Sequence, residues 1–171
     1  MNSYQLYDAM KMDRLGKQLF LGVYAADELK NVTIKKYPCG LIANTDISSK
    51  PGAHWVAFLF KEDETGEFFC SYGKPPGTYD FEKWIGRNAK SWNYNKTRLQ
   101  GDLSSVCGQY CLFWLLHSFR KLPIVQVFGK DFTINDTLVN SYVQERFNIN
   151  TSIMDTQFLK RQIARAINGR F

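Results

Sequence analysis

The sequence predicts a single α+β domain: a central mixed sheet flanked by helices, with one buried helix at its heart. Three observations carry that prediction. Residues 55–72 read as a hairpin, with the apolar run WVAFLF, the charged turn KEDETGE and a second run FFCSYG. Residues 103–121 include VCGQYCLFWLLHSF, which is apolar around most of a helical circumference, the signature of a helix enclosed on all sides. The remaining helical patterns stand before and after the strands instead of alternating with them, which favours α+β over a doubly wound sheet.

Taken in order, Ser3 is the expected cap of a first helix that carries Leu6, Tyr7 and Met10 on one face and ends near Gly16. FLGVYAADEL and LIANT follow, then the hairpin. KPPGT at 74–78 breaks the pattern. Asp80 is the expected cap of a helix with Phe81, Trp84, Ile85 and Ala89 at helical spacing. After the buried helix, Leu138, Val139, Tyr142 and Val143 mark one amphipathic helix. Phe158, Leu159, Ile163 and Ile167, following Asp155, mark another. No repeat, linker or low-complexity tract divides the chain, so one domain over 1–171 is expected.

The 171 residues are 44% hydrophobic and 22% charged, which suits a chain with a core of its own and argues against disorder. No run approaches the roughly 18 consecutive apolar residues of a membrane span. The opening MNSYQLYDAMKMD lacks the basic-then-apolar order of a secretory leader, so an intracellular compartment is expected. The net charge is +6 and unevenly placed. Lys83, Arg87, Lys90, Lys96 and Arg98 occur without an acid among them, interleaved with Trp84, Trp92 and Tyr94. They read either as a nucleic-acid surface or as a solvated face whose aromatics turn inward. The tail adds Lys160, Arg161, Arg165 and Arg170.

Cysteines stand at 39, 70, 107 and 111, with no C-x-x-C pair and with His54 and His117 far apart. That spacing gives no zinc signature, and free thiols and no metal are expected. Cys107 is expected one turn into the buried helix, just after Asp102, Ser104 and Ser105, each a candidate cap. A thiol there feels the helix dipole and unpaired N–H groups, both of which favour the nucleophilic thiolate. The alternative is a buried core cysteine. Gly108 leaves room for a substrate backbone. His54, at the mouth of the WVAFLF strand, is placed to pair with such a thiol, whereas His117 falls within the apolar helix. Gln100 precedes Cys107 by one loop and offers an amide donor for an oxyanion.

The order of these residues resembles the adenovirus-type (adenain-like) cysteine protease family. The resemblance rests on His54-Trp55, an aromatic pair leading to Ser-Tyr-Gly, Gln100, and Ser-Ser-x-Cys107-Gly-x-Tyr-Cys. LFLGVY and the IANT segment Ile42–Thr45 extend it toward the N-terminus, and it covers residues 3 to 120. It implies Cys107 as nucleophile, His54 as general base and acid, Gln100 as oxyanion donor and Trp55 as a cover of the site. The family's third member, a carboxylate, falls where this chain has Cys70 and Ser71. Three readings follow: Ser71 or a main-chain carbonyl orients the histidine, Asp46 or Asp80 supplies a carboxylate, or the chain is an inactive relative.

The resemblance further implies an endopeptidase from a DNA virus or virus-like element. It would act as a monomer on virion precursor proteins, in the host nucleus or viral factory and in the virion. The chemistry would need no cofactor, with activation by DNA or by a viral peptide. The cysteine that would join such a peptide has no counterpart between Lys83 and Gln100. Two rivals share the residue pattern: a ubiquitin- or SUMO-deconjugating protease, and a DNA- or capsid-binding protein that keeps the fold without hydrolysis.

Overall fold

Residues 1–122, 124, 126–151 and 153 are described by the computed structural model of the chain. The helix expected after Asp155 and the basic tail lie outside the described residues. Five strands form one mixed sheet in sequence order: β1 (Phe20–Tyr24), β2 (Cys39–Asn44), β3 (Trp55–Phe60), β4 (Thr65–Phe69) and β5 (Ser91–Tyr94). The outer pairs β1–β2 and β4–β5 are parallel, and the inner pairs β2–β3 and β3–β4 are antiparallel.

The two central strands are covered on both faces, which is why they read as unbroken apolar runs. Along β3, Val56, Phe58 and Phe60 join one core with Leu41, Trp84 and Ile85, while Ala57 and Leu59 join the other with Leu6, Leu112 and Leu115. The second core holds α1 (Ser3–Met12), α5 (Cys107–Ser118) and α6 (Phe132–Phe147). Opposite them lie the short α3 (Ala26–Leu29) and α4 (Glu82–Asn88). The α+β class and the buried central helix are therefore as the sequence predicts. Each fully buried leucine of α5 contributes roughly 2 kcal/mol. Gly40 of β2 lets this helix approach, since a Cβ there would stand 2.7 Å from Leu115 Cδ2 and 2.9 Å from Phe119 Cζ.

Several boundaries differ from expectation. Asn2, not Ser3, caps α1: its Oδ1 accepts from the Gln5 N–H at 2.9 Å and the Gln5 side chain answers at 3.0 Å. The first helix also stops at Asp13, which caps a second helix, α2 (Arg14–Leu19), by accepting from the Leu15 and Gly16 N–H groups. The same carboxylate receives Arg120 Nη2 at 2.5 Å and Arg146 Nη2 at 2.6 Å, tying the first turn to the ends of α5 and α6. Burial would raise its pKa; the Gly16 N–H and the two guanidiniums outweigh that and hold it at about 2. Asp80 does not cap α4. It sits at φ 60° closing a 3-10 turn at Pro76–Tyr79, and Phe81 precedes α4 without a side-chain cap.

Candidate active site

His54 lies one residue before β3, where its carbonyl accepts from the Thr45 N–H at 2.9 Å and extends the β2–β3 ladder. Asn44 Oδ1 folds the intervening loop back by accepting from Asp46 N–H at 2.9 Å and Ala53 N–H at 3.1 Å. The imidazole is buried, with its ring centroid 4.7 Å from that of Tyr72 and 6.0 Å from that of Tyr79. Its Nε2 stands 3.4 Å from Cys70 Sγ, and that sulfur stands 3.5 Å from the Tyr79 hydroxyl. Among the described residues no hydrogen bond joins His54 to Asp46 or Asp80. Burial, with the Lys74 ammonium adding to it, lowers the His54 pKa to about 3, so the ring is neutral near pH 7.

Ser71 turns the other way. Its hydroxyl donates to Gln100 Oε1 at 2.6 Å, and its carbonyl accepts from the Leu99 and Gln100 N–H groups at 2.8 and 3.1 Å. With the oxygen so held, Gln100 Nε2 donates one hydrogen to the Ser104 carbonyl at 2.9 Å and keeps a second for another acceptor. The flanking residues are clamped from α5 and α6. Leu99 O accepts from the Tyr110 hydroxyl at 2.9 Å and Asn135 Nδ2 at 3.2 Å, and the Gly101 N–H donates to Asp136 Oδ2 at 3.3 Å. Asn95 brackets the Cys70 peptide, accepting from its N–H at 2.8 Å and donating to its carbonyl at 2.7 Å. Sequence reasoning missed both clamps.

Cys107 is the first residue of α5, not one turn into it. None of Asp102, Ser104 and Ser105 caps the helix, which starts after Val106 without a side-chain cap. The Tyr110 N–H is the first to find its partner, the Val106 carbonyl, at 3.0 Å. The N–H groups of Cys107 and Gly108 are thus among the helix's unpaired donors. Burial works against the thiolate expected from the dipole. Burial pushes the Cys107 thiol pKa up, and the main-chain N–H groups of Trp55, Gly108 and Cys107 offset only part of it. A helix terminus supplies about 0.3–1 kcal/mol, less than desolvating a thiolate costs.

Gly108 is buried, and its open side faces the N-terminal segment: a Cβ would lie 3.2 Å from Leu6 Cδ2, 3.3 Å from Met1 Cβ and 3.4 Å from Trp55 Cδ1. Its small size serves that packing, so the expected space for a substrate backbone is not above Gly108. Trp55 is pinned by donating Nε1–H to the Met1 carbonyl at 3.0 Å.

These groups share one cleft of about 760 Å³. His54, Trp55, Tyr72, Gln100 and Cys107 line it, together with Tyr4, Tyr7 and residues of the 44–53 loop. The cleft thus brings together a thiol, an imidazole and an amide, side chains of the kinds used in acyl transfer.

The basic stretch follows the inward-facing alternative for its aromatics. Trp84 is in the core and donates Nε1–H to the Val32 carbonyl at 2.8 Å, so it offers no face to a base. Lys83, Arg87 and Lys96 remain exposed, Lys90 pairs with Glu64 at 3.0 Å, and Arg98 pairs with Asp102. His117, on α5, has Nδ1 2.7 Å from the Phe113 carbonyl and lies away from the cleft.

No protein-family model matches the chain. It is similar to a cysteine protease of African swine fever virus (isolate Tick/Malawi/Lil 20-1/1983), 34% identical over a 114-residue alignment. The match takes in 54% of this chain and 40% of that protein, so the chain spans less than half the length of this relative. A crystal structure of the protease of that virus overlaps 68% of this chain and 47% of its own, with a TM-score of 0.49 and 24% identity.

Proposed function

We propose that the chain is a cysteine endopeptidase with Cys107 as nucleophile, His54 as general base and acid, and Gln100 as oxyanion donor. The observation that carries this reading is the convergence of these three side chains, from a helix start, a strand mouth and a clamped loop, on one cleft. The similarity to a viral cysteine protease supports it.

The resting pair is a thiol and a neutral imidazole. The thiol proton therefore passes to His54 as the sulfur attacks the scissile carbonyl, forming the C–S bond. The oxyanion is met by the free Gln100 N–H and the Cys107 N–H. The imidazolium returns its proton to the leaving amine as the C–N bond breaks. Water, deprotonated by His54, then releases the acid, and the Cys107 thiol is regenerated. Substrates are virion precursor proteins, cut in an infected cell or in the virion. DNA stimulation acts through the exposed Lys83, Arg87, Lys90 and Lys96.

The test is cleavage of unfolded glycine-containing polypeptides, with new termini identified by mass spectrometry, beside folded ubiquitin-like fusions. Cleavage of the unfolded chains that Cys107→Ala abolishes is expected. Cleavage of the fusions alone would point to a deconjugase. No cleavage by wild type would leave the non-hydrolytic binding protein as the better reading.

A further inference from the structure

The 3-10 turn at Pro76–Tyr79, which the sequence marks only as a break, brings a phenol to the histidine from a segment with no other role in the site. Tyr79 is fixed against Phe68 and Phe81, at ring-centroid distances of 6.4 and 6.3 Å, and its hydroxyl stands 3.5 Å from Cys70 Sγ. Cys70 is fully buried and has its main chain bracketed by Asn95. Its sulfur touches His54 Nε2 on the other side, at 3.4 Å.

We propose that Tyr79 and Cys70 form a hydrogen-bonded relay that fixes the tautomer and angle of the His54 ring, in the place where a carboxylate does so in catalytic triads. Both are positioning residues. Their catalytic consequence rests on the reading of His54 as the base; their effect on the ring does not.

A thiol both accepts and donates weakly, so it can stand between an N–H and a hydroxyl. In the arrangement that serves the reaction, Nε2–H donates to Cys70 Sγ and the Cys70 S–H turns to the Tyr79 oxygen. That leaves the Nδ1 lone pair toward the cleft it shares with Cys107. The opposite tautomer would put a proton on the nitrogen that must accept one. A neutral sulfur steadies the imidazolium less than a carboxylate would. The charged and titratable groups around the ring are Cys70, Tyr72, Tyr79 and the Lys74 ammonium, with Cys107 across the cleft. Among the described residues, none of the groups against the ring is a carboxylate.

The test is long-range ¹H–¹⁵N correlation of the ring nitrogens in the full chain, which has only two histidines. His117 is an internal reference, because its Nδ1 faces the Phe113 carbonyl at 2.7 Å and must carry the proton. His54 is expected as the opposite tautomer, protonated on Nε2, in wild type and in Cys70→Ser. Cys70→Ala and Tyr79→Phe should both move it toward a tautomer mixture while His117 stays unchanged. The phenylalanine variant removes a single oxygen and guards against a folding defect at Cys70. A proton on Nδ1 of His54 in wild type, or a spectrum indifferent to both changes, overturns the relay. In kinetics, Cys70→Ala should lose roughly tenfold or more in kcat at unchanged KM. Cys70→Asp should move the acid limb of kcat/KM up by about one to three pH units. The expected tautomer shifts without any peptide hydrolysis would uphold the relay and overturn the peptidase reading.

Discussion

The Ser71 hydroxyl donates to Gln100 Oε1 across 2.6 Å, so the strand end that carries Cys70 to His54 also orients the amide of Gln100, which shares the cleft with Cys107. On the proposed reading, base and oxyanion donor are thereby set by adjacent residues of one segment. Replacing Gln100 with Ala should cost about 10²–10³ in kcat, as loss of an oxyanion donor does. Ser71→Ala frees the amide to rotate and should cost less, roughly tenfold, with KM little changed. Steady-state kinetics of both variants check the ranking.

Gly73 holds φ +67°, and a Cβ there would stand 2.8 Å from the Thr97 carbonyl carbon and 2.9 Å from the Arg98 nitrogen. Gly73→Ala is therefore strained twice, by its backbone and by the loop that leads to Gln100. Activity should fall by about tenfold or more while the two cores, remote from the turn, stay packed. Circular dichroism beside the kinetics separates the two effects.

Protonation of His54 links stability to pH. Above the usual 6.5 both folded and unfolded chains hold a neutral ring. Between 6.5 and about 3 only the unfolded chain binds the proton, so stability present at neutral pH is lost as the pH falls through this window. Over the whole window the loss is on the order of 5 kcal/mol. Urea titrations from pH 7 to 4 should show this slope in wild type and a flatter one in His54→Gln. An equal slope in both would contradict the assignment of a buried neutral imidazole.

Asp13 ties three helices together through one carboxylate, and its contribution fades at lower pH. Only the unfolded chain is protonated between the usual 3.8 and about 2. Asp13→Ala removes the cap of α2 and leaves Arg120 and Arg146 facing each other without a counter-charge. A loss of about 2–4 kcal/mol is expected in denaturant unfolding at pH 7.

The parts of this site that were legible in the sequence are those set by local pattern. WVAFLF is a strand because β3 is buried on both faces, and α5 reads as a buried helix because cores and neighbouring helices enclose it. β5 escaped notice: four residues of an edge strand, alternately exposed, with the flanking basic residues masking the period. The cap at Asp13 was hidden inside a continuous helical pattern, since its second role depends on arginines from two distant helices. The His54–Cys70 contact follows from hairpin closure, and the clamp on Gln100 from Asn135 and Asp136 spans some 35 residues. Helix position, which favours a thiolate at Cys107, is visible in sequence, whereas the desolvation that opposes it is not.

The most direct measurement is intact-mass detection of an acyl-enzyme. The full chain is mixed with a peptide ester, quenched in acid within one turnover and digested to locate the adduct. The account predicts one acyl group, on Cys107 and not on Cys39, Cys70 or Cys111. Its rate of formation should change little between pH 6 and 9, where both the thiol and the neutral imidazole persist, and it should be lost in Cys107→Ala. An adduct on another cysteine, or none while the peptide is still cleaved, would contradict Cys107 as the nucleophile.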